Sequence, residues 1–178
     1  MKGKVINVEL GSLLVRKDIQ QKEIAVNTKT SVSTLNGYVK QEHPVPISKA
    51  ALIAEKNGDD IFKGQMSYEF FGFIKSMDGL VADNCSPTEL DVYQKKESNE
   101  RKACKDTIEI LLVESKSRDL ESSEKDLLKT YVIEFMDEII VELTIVFSIL
   151  KIIGVSITQI MNERMSYWIS KRYMRKGN

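Results

Sequence analysis

The chain contains 178 residues, of which 42% are hydrophobic and 29% are charged. This length and composition exclude a disordered chain and allow one ordinary domain, or one small domain with a helical extension. The net charge is zero, which argues against a general nucleic-acid coat protein.

The charge is divided unevenly along the chain. Residues 1–58 contain nine Lys or Arg and five Asp or Glu, a balance of +4, whereas residues 59–178 contain 17 and 21, a balance of −4. Because phosphate attracts basic surface, only residues 1–58 are expected to bind nucleic acid. Glycine and proline are rare, at nine and three residues, and this favours a mostly helical protein.

The cysteines and the single histidine give no sign of a metal site. Cys85 and Cys104 form no CxxC pair and lie far from His43 in sequence, so we expect structural thiols and a surface-loop histidine. A reduced, cytoplasmic setting follows from the same pattern. The N-terminus is not expected to be a signal peptide, because Asn7 and Glu9 interrupt it before an apolar segment develops.

The first predicted element is a short helix within residues 1–18. Leu10, Leu13 and Leu14 recur at spacings of three and four, which is typical of a helix with one apolar face. Val5 and Ile6 are equally compatible with the start of a strand, and the pattern leaves both possibilities open.

Residues 20–41 predict two short helices joined by a tight turn. Ile24 and Leu35 are the expected contacts between the helices, and Ala25 is small enough for a close crossing. Ser31 is a suitable N-cap for the second helix. Pro44 and Pro46 then end that helix, and a further helix is expected from Ile47 to Asn57-Gly58.

These residues resemble the Cro/lambda-repressor-like (XRE-type) helix-turn-helix family. The matching pattern, within residues 8–58, is Gln21, Glu23, Ile24 and Ala25, a turn, and then Ser31, Thr34 and Leu35. Thr28-Lys29-Thr30 stand where Leu-Gly-Val is usual in the family, and Gly37 lies inside the second helix. The resemblance implies a DNA-binding domain of four to five helices, as in small phage or mobile-element regulators of Gram-positive bacteria.

A helix-turn-helix places its second helix in the major groove, with the N-terminal half against base edges. Val32, Ser33, Asn36 and Gly37 are the expected outward positions after the cap residue Ser31. Asn can bond adenine and Val can meet a thymine methyl. We expect phosphate contacts from Gln21, Thr34 and Lys40. The alternative is an ordinary helical hairpin with a solvated face.

The character of the chain changes after Asp59. An aromatic-rich stretch covers residues 61–74 and is followed by a helix start at Ser86, with Pro87 in the first turn and Glu89 completing a capping box. One helix is expected to run from there to the apolar residues ending at Val113. Residues 116–125 are predicted to be a charged linker.

A long helix beginning near a Ser123 cap is the second main feature. Its apolar residues repeat at spacings of three and four, which is typical of helices that pair. We predict dimerisation through this apolar stripe, namely Leu128, Val132, Phe135, Ile139, Leu143, Val146, Leu150 and Ile153. Residues 139–153 are apolar nearly all round, but Glu142 and Lys151 interrupt a run shorter than the roughly 20 residues of a membrane span.

Gly154 is expected to end the long helix and Ser156 to begin another. In the final segment, Tyr167 and Trp168 are predicted to pack on the long helix, with the basic tail exposed. A membrane-surface or nucleic-acid patch is the alternative for this segment.

Catalytic and metal-binding patterns are not recognisable in the sequence. Glu134, Asp137, Glu138 and Glu142 are compatible with a carboxylate metal site, but this spacing on one helix is more typical of a solvated or salt-bridged edge. No phosphate-binding or dinucleotide glycine pattern and no nucleophile motif occurs. We therefore expect no enzyme activity, no cofactor and no metal.

The sequence as a whole predicts an all-α protein with two domains. Residues 1–58 would form the helix-turn-helix domain, and residues 59–178 a helical domain for dimerisation, sensing or partner binding. The expected function is sequence-specific transcriptional control, as a dimeric phage or mobile-element repressor. Its expected partners are double-stranded DNA and a second copy, without a membrane. The alternatives are a module that modulates a host protein and a peripheral membrane protein using residues 139–153.

Overall fold

A computed structural model describes residues 3–175, which confirm the all-α prediction. Within this range the chain forms ten helices and no strand, and one isolated antiparallel bridge joins Lys4 to Val45. Their backbones exchange two hydrogen bonds, of 3.0 and 2.7 Å. Val5 and Ile6 do not begin a strand. The bridge is made by Lys4 alone, the first helix begins at Asn7, and Ile6 is its buried N-cap residue.

The helices follow one another with short connections. Their bounds are α1 Asn7–Lys17, α2 Gln21–Asn27, α3 Val32–Val39, α4 Ile47–Asn57, α5 Asp60–Phe71, α6 Leu80–Asn84, α7 Pro87–Ala103, α8 Lys105–Glu114, α9 Ser122–Ile153 and α10 Ile157–Ser170.

Most predicted helix ends are confirmed, because they depend on residues next to the end itself. Ser31 accepts from the backbone N–H of Thr34, and Ser86 forms a capping box with Glu89. Gly58 and Gly154 follow α4 and α9 in the left-handed conformation, which glycine adopts without a Cβ penalty. Ser156 caps α10 as expected.

The chain divides into two compact units by its internal contacts. One unit contains the residues up to Ser76 and those from Leu150 onward, and the other contains Met77–Ile149. The core of the first unit draws on α1 to α5, since it consists of Ile6, Leu10, Leu13, Ile24, Ala25, Leu35, Tyr38, Val45, Ala50, Ile53, Ala54, Phe62, Met66 and Phe70. Helix α5 therefore shares one core with α1 to α4, and the domain boundary at residue 58 stays a prediction.

An ion pair fastens α5 to α1. Arg16 donates two hydrogen bonds to the Asp59 carboxylate, of 3.1 and 3.3 Å, and Asp59 also accepts the backbone N–H of Phe62 at 2.6 Å as the N-cap of α5. Both side chains are largely removed from solvent, at 15% and 7% exposure. A buried carboxylate needs such partners to compensate for its lost hydration.

In the second unit, two expectations were wrong. The helix predicted to run from Pro87 to Val113 breaks at Cys104, whose ψ of 1° interrupts it between α7 and α8. Ser123 lies inside α9, which begins at Ser122, so the linker predicted for residues 116–125 ends at residue 121. Glu124 accepts the backbone N–H of Glu121 at this end instead. Ile108 and Leu111 of α8 form a small core with Leu120.

The described residues contain no single helix that is long and apolar enough to cross a membrane. Helices α9 and α10 meet that composition only when taken together, and they are bent by 106° at the break between them.

Candidate nucleic-acid interface

Helices α2 and α3 meet through the residues that the sequence predicted. Ile24 and Leu35 are fully buried and Ala25 is nearly so, and all three belong to the core of the first unit, where α2 contacts α3. Helix α3 also contacts α1, and α2 contacts α4. The α2–α3 pair thus packs on α1 and α4. The N-terminal end of α3 is exposed at Ser31, Val32 and Ser33.

The turn between the helices is built without glycine. The N–H of Thr30 bonds the carbonyl of Ala25 at 2.9 Å, and the N–H of Lys29 bonds that of Val26 at 3.2 Å. These two bonds define a Schellman motif, whose central position is normally glycine. Lys29 occupies that position with a φ of +48°. The buried Thr28 hydroxyl donates to the carbonyl of Ile24 at 2.7 Å, so both threonines are satisfied within the turn.

Lys29→Gly is therefore expected to stabilise the protein by about 1 kcal/mol, because the left-handed conformation costs a residue with a Cβ about that much. Urea unfolding followed by circular dichroism measures the difference. Lys29→Ala is the matched control, since it removes the same charge and keeps the Cβ. An equal gain in both variants would contradict the conformational explanation.

The predicted DNA-contacting residues are spread along α3 and at the start of α2. Val32 is 52% exposed, Ser33 and Lys40 are exposed, and Thr34 and Asn36 are half-buried. Gln21 is half-buried in the first turn of α2. Ser31 and Thr34 share a hydroxyl hydrogen bond of 2.7 Å. Short polar groups and one methyl-bearing side chain thus form the surface of the α3 N-terminal half.

Gly37 is the exception, because it is buried and does not occupy the outward position predicted for it. A Cβ built there would lie 2.9 Å from Cδ2 of His43. The absent side chain therefore accommodates the His43 ring of the following turn. His43 itself is exposed, as expected of a loop histidine.

Lys49 belongs to this surface and was missed by the sequence analysis. Its ammonium group donates to the Thr30 hydroxyl at 3.2 Å, which brings a positive charge from α4 to the turn. Lys22 of α2 and Lys29 of the turn are also exposed. The two partners of the Lys49 bond are 19 residues apart, and no local pattern predicts such a pairing.

The apolar stripe predicted for dimerisation lies on α9, is called the α9 stripe below, and is only partly buried. Leu150 is buried, Leu128, Ile139 and Leu143 are half-buried, and the exposed members are Val132, Phe135, Val146 and Ile153. The most buried positions of α9 instead include Glu138, Val141, Thr144 and Phe147. Dimerisation through the stripe stays a prediction.

A polar centre in the second unit engages part of the acidic edge of α9. Glu138 pairs with Arg101, and Gln94 donates to Glu138 and Glu142 at 3.1 Å each. Hydrogen bonding from Arg101 holds the pKa of Glu138 below its ordinary value. Arg101 also donates to the Tyr131 hydroxyl at 3.2 Å. This part of the edge is salt-bridged, as the i, i+4 spacing suggested.

Three further carboxylates lie together on the same unit. Oxygens of Glu97, Glu134 and Asp137 fall within 4.8 Å of one another. Lys96 donates to Glu97 at 3.1 Å, so this surface cluster already has a cation beside it. Acidic groups on a solvated helix face commonly gather in this way, and the cluster by itself indicates no metal.

Comparisons with models of protein families, with curated proteins and with solved structures find no match to this chain.

Proposed function

We propose that the protein is a sequence-specific DNA-binding transcriptional regulator, acting as a dimeric repressor of the phage or mobile-element type. The α2–turn–α3 module would bind double-stranded DNA, with α3 in the major groove. Support comes from the exposed N-terminal half of α3, which stands above a fully buried contact between α2 and α3. A rigid helix presented in this manner is what base-edge recognition requires.

The chemistry of the exposed and half-buried residues suits the two kinds of DNA contact. Asn36 can bond adenine through its amide, and the Val32 methyls can contact thymine. Lys40 and the N-terminal turn of α2 at Gln21 would meet phosphate, which fixes position without reading sequence. Lys49 adds a charge on the same side of the turn.

Dimerisation would supply the affinity that one small module lacks. A single module makes few contacts, whereas two related by a two-fold axis bind half-sites about one helical turn apart. The exposed members of the α9 stripe provide apolar surface for such pairing. Occupancy of the paired sites would block polymerase.

Asn36→Ala is expected to weaken binding to a selected operator about tenfold or more, because a bidentate base contact contributes about 1–3 kcal/mol. The operator is first selected from random duplexes with the full chain, and affinity is then measured by gel shift. Asn99→Ala, on the exposed face of α7, is the matched control. Affinity of N36A within twofold of the wild type would refute this assignment.

A second candidate function is the modulation of a host protein. It is favoured by exposed apolar residues on α8, namely Ile110, Leu112 and Val113. Specific DNA binding that weakens with salt supports the regulator. Loss of a captured host protein in Ile110→Ser with Val113→Ser, with no operator selected by the wild type, would instead support the second candidate.

A further inference from the structure

Helix α10 carries an amphipathic face that is only partly covered. None of its 14 residues is buried. Its first turn is fixed to α5, since the Ile157 N–H donates to Asp60 at 2.7 Å and Lys63 donates to the Thr158 hydroxyl at 3.3 Å. Along the helix the apolar residues recur at spacings of three and four and lie on one side. Ile160 and Met161 are exposed there, and Ile157, Met165 and Trp168 are half-buried.

Aromatic rings and cations alternate along this face. Tyr167 is 39% exposed. The centroid of its ring lies 3.7 Å from the guanidinium carbon of Arg164 and 5.7 Å from the ammonium nitrogen of Lys171. The ring therefore packs against residues of its own segment, although the sequence predicted packing on the long helix. Arg164 can lie along the apolar surface while its charged end reaches outward.

Exposed apolar residues continue across the bend that precedes α10. Ile152 is 71% and Ile153 is 56% exposed at the end of α9. Leaving large aliphatic side chains in water is unfavourable, and exposed aliphatic residues beside a helix with a partly exposed tyrosine are typical of an interaction site.

The charges around the face select its partner. Residues 150–175 carry five cations, Lys151, Arg164, Lys171, Arg172 and Arg175, against the single carboxylate of Glu163. In a two-fold dimer the same patch meets itself, so these cations would repel one another. Duplex DNA would accept the charges but not the aliphatic residues, because protein contacts to duplex DNA are mainly polar.

We propose that α10 and the end of α9 dock on the surface of an anionic lipid bilayer. The apolar side chains would enter the boundary between headgroups and acyl chains, Trp168 and Tyr167 would lie at headgroup level, and the cations would bind lipid phosphate. This surface is peripheral and does not require a spanning helix. It selects the membrane-surface alternative for the Tyr167-Trp168 segment over packing on the long helix, and it does not depend on DNA binding by α3.

The full chain reports its own binding, because Trp168 is its single tryptophan. Titration with phosphatidylcholine vesicles containing phosphatidylglycerol should shift the tryptophan emission to the blue and carry the protein into the vesicle fraction. Vesicles of phosphatidylcholine alone should bind at least tenfold more weakly. An absence of shift and of co-flotation with the anionic vesicles would overturn the proposal.

Two variants separate the apolar and the electrostatic contributions. Ile160→Ser with Met161→Ser should reduce vesicle affinity at least tenfold. Lys171→Glu with Arg175→Glu should reduce it at least about 25-fold, since each basic residue near an anionic surface contributes about fivefold. Val92→Ser, an apolar position on α7 that is more exposed than Ile160 or Met161, should bind as the wild type does.

The competing partners give distinct results in the same series. Unchanged vesicle binding in both variants would overturn the proposal. So would a dimer in light scattering that the Ile160→Ser, Met161→Ser variant dissociates, or a blue shift produced by duplex DNA and not by vesicles. If the apolar variant loses its helical circular dichroism, the charge variant, which leaves the apolar face intact, decides the result.

Discussion

Asp59→Ala is expected to lower the free energy of unfolding of the first unit by about 4 kcal/mol. Removing one partner of a buried ion pair costs about 3 kcal/mol, because Arg16 keeps its charge without the carboxylate. Loss of the N-cap of α5 adds about 1 kcal/mol. Native-state hydrogen exchange at the amides of α1 and α5 measures the change where the two helices are fastened.

Two further variants divide this loss into its parts. Asp59→Asn keeps a good N-cap and removes the charge, so its cost should be smaller than that of Asp59→Ala by about 1 kcal/mol. Combining Asp59→Asn with Arg16→Leu removes both charges and should recover part of the stability. A loss below 1 kcal/mol in Asp59→Ala would mean that the ion pair does not hold α5 to α1.

Glu138→Leu is expected to destabilise the second unit by about 3 kcal/mol. Glu138 is 4% exposed and accepts from both Arg101 and Gln94, and its removal leaves Arg101 with the Tyr131 hydroxyl and the Phe135 ring as partners. The low end of the usual range for a broken buried pair applies, because Arg101 retains 16% exposure. Hydrogen exchange at the amides of α7 and α9 measures the loss.

The same carboxylate gives the protein a defined acid sensitivity. Hydrogen bonding from Arg101 lowers the pKa of Glu138 in the folded state below the ordinary 4.5. The ionised form therefore stabilises the fold fully above about pH 4.5, and this contribution disappears as the pH falls through the folded-state pKa. The stability difference between the wild type and Glu138→Gln should shrink over that interval.

Glu124→Gln is the matched control for this acid sensitivity. A hydrogen bond from Arg118 lowers the pKa of Glu124 to about 2, but the pair lies on the surface, where water and salt screen it. Its replacement should have a much smaller effect than that of Glu138. Equal losses in the two variants at pH 7 would contradict the assignment of Glu138 as the buried anchor of α9.

Helices α1 to α4, α9 and α10 and most of their ends could be predicted because the signals are local, whereas α5 and α6 were not predicted. Ser31, Ser86 and Ser156 satisfy N–H groups three residues ahead, and Gly58 and Gly154 reverse the chain without steric cost. The break at Cys104 could not be predicted in this way, because neither glycine nor proline marks it.

In the candidate site, the α2–α3 contact was predicted and its surroundings were not. Ile24 and Leu35 could be identified because apolar residues at helical spacing mark the buried face of a helix. The burial of Gly37 under His43 and the bond from Lys49 to Thr30 depend on where the chain returns after Pro44. Neither can be derived from spacing.

By itself, the sequence determined the all-α class, the helix-turn-helix pairing and the basic front of the chain, since each depends on composition or on residues a few positions apart. Only the tertiary structure decided that α5 completes the first core, that Asp59 fastens it to α1, and which faces of α9 and α10 stay exposed. Apolar periodicity shows that a helix has a face to bury. Which neighbour covers that face depends on contacts between residues distant in sequence.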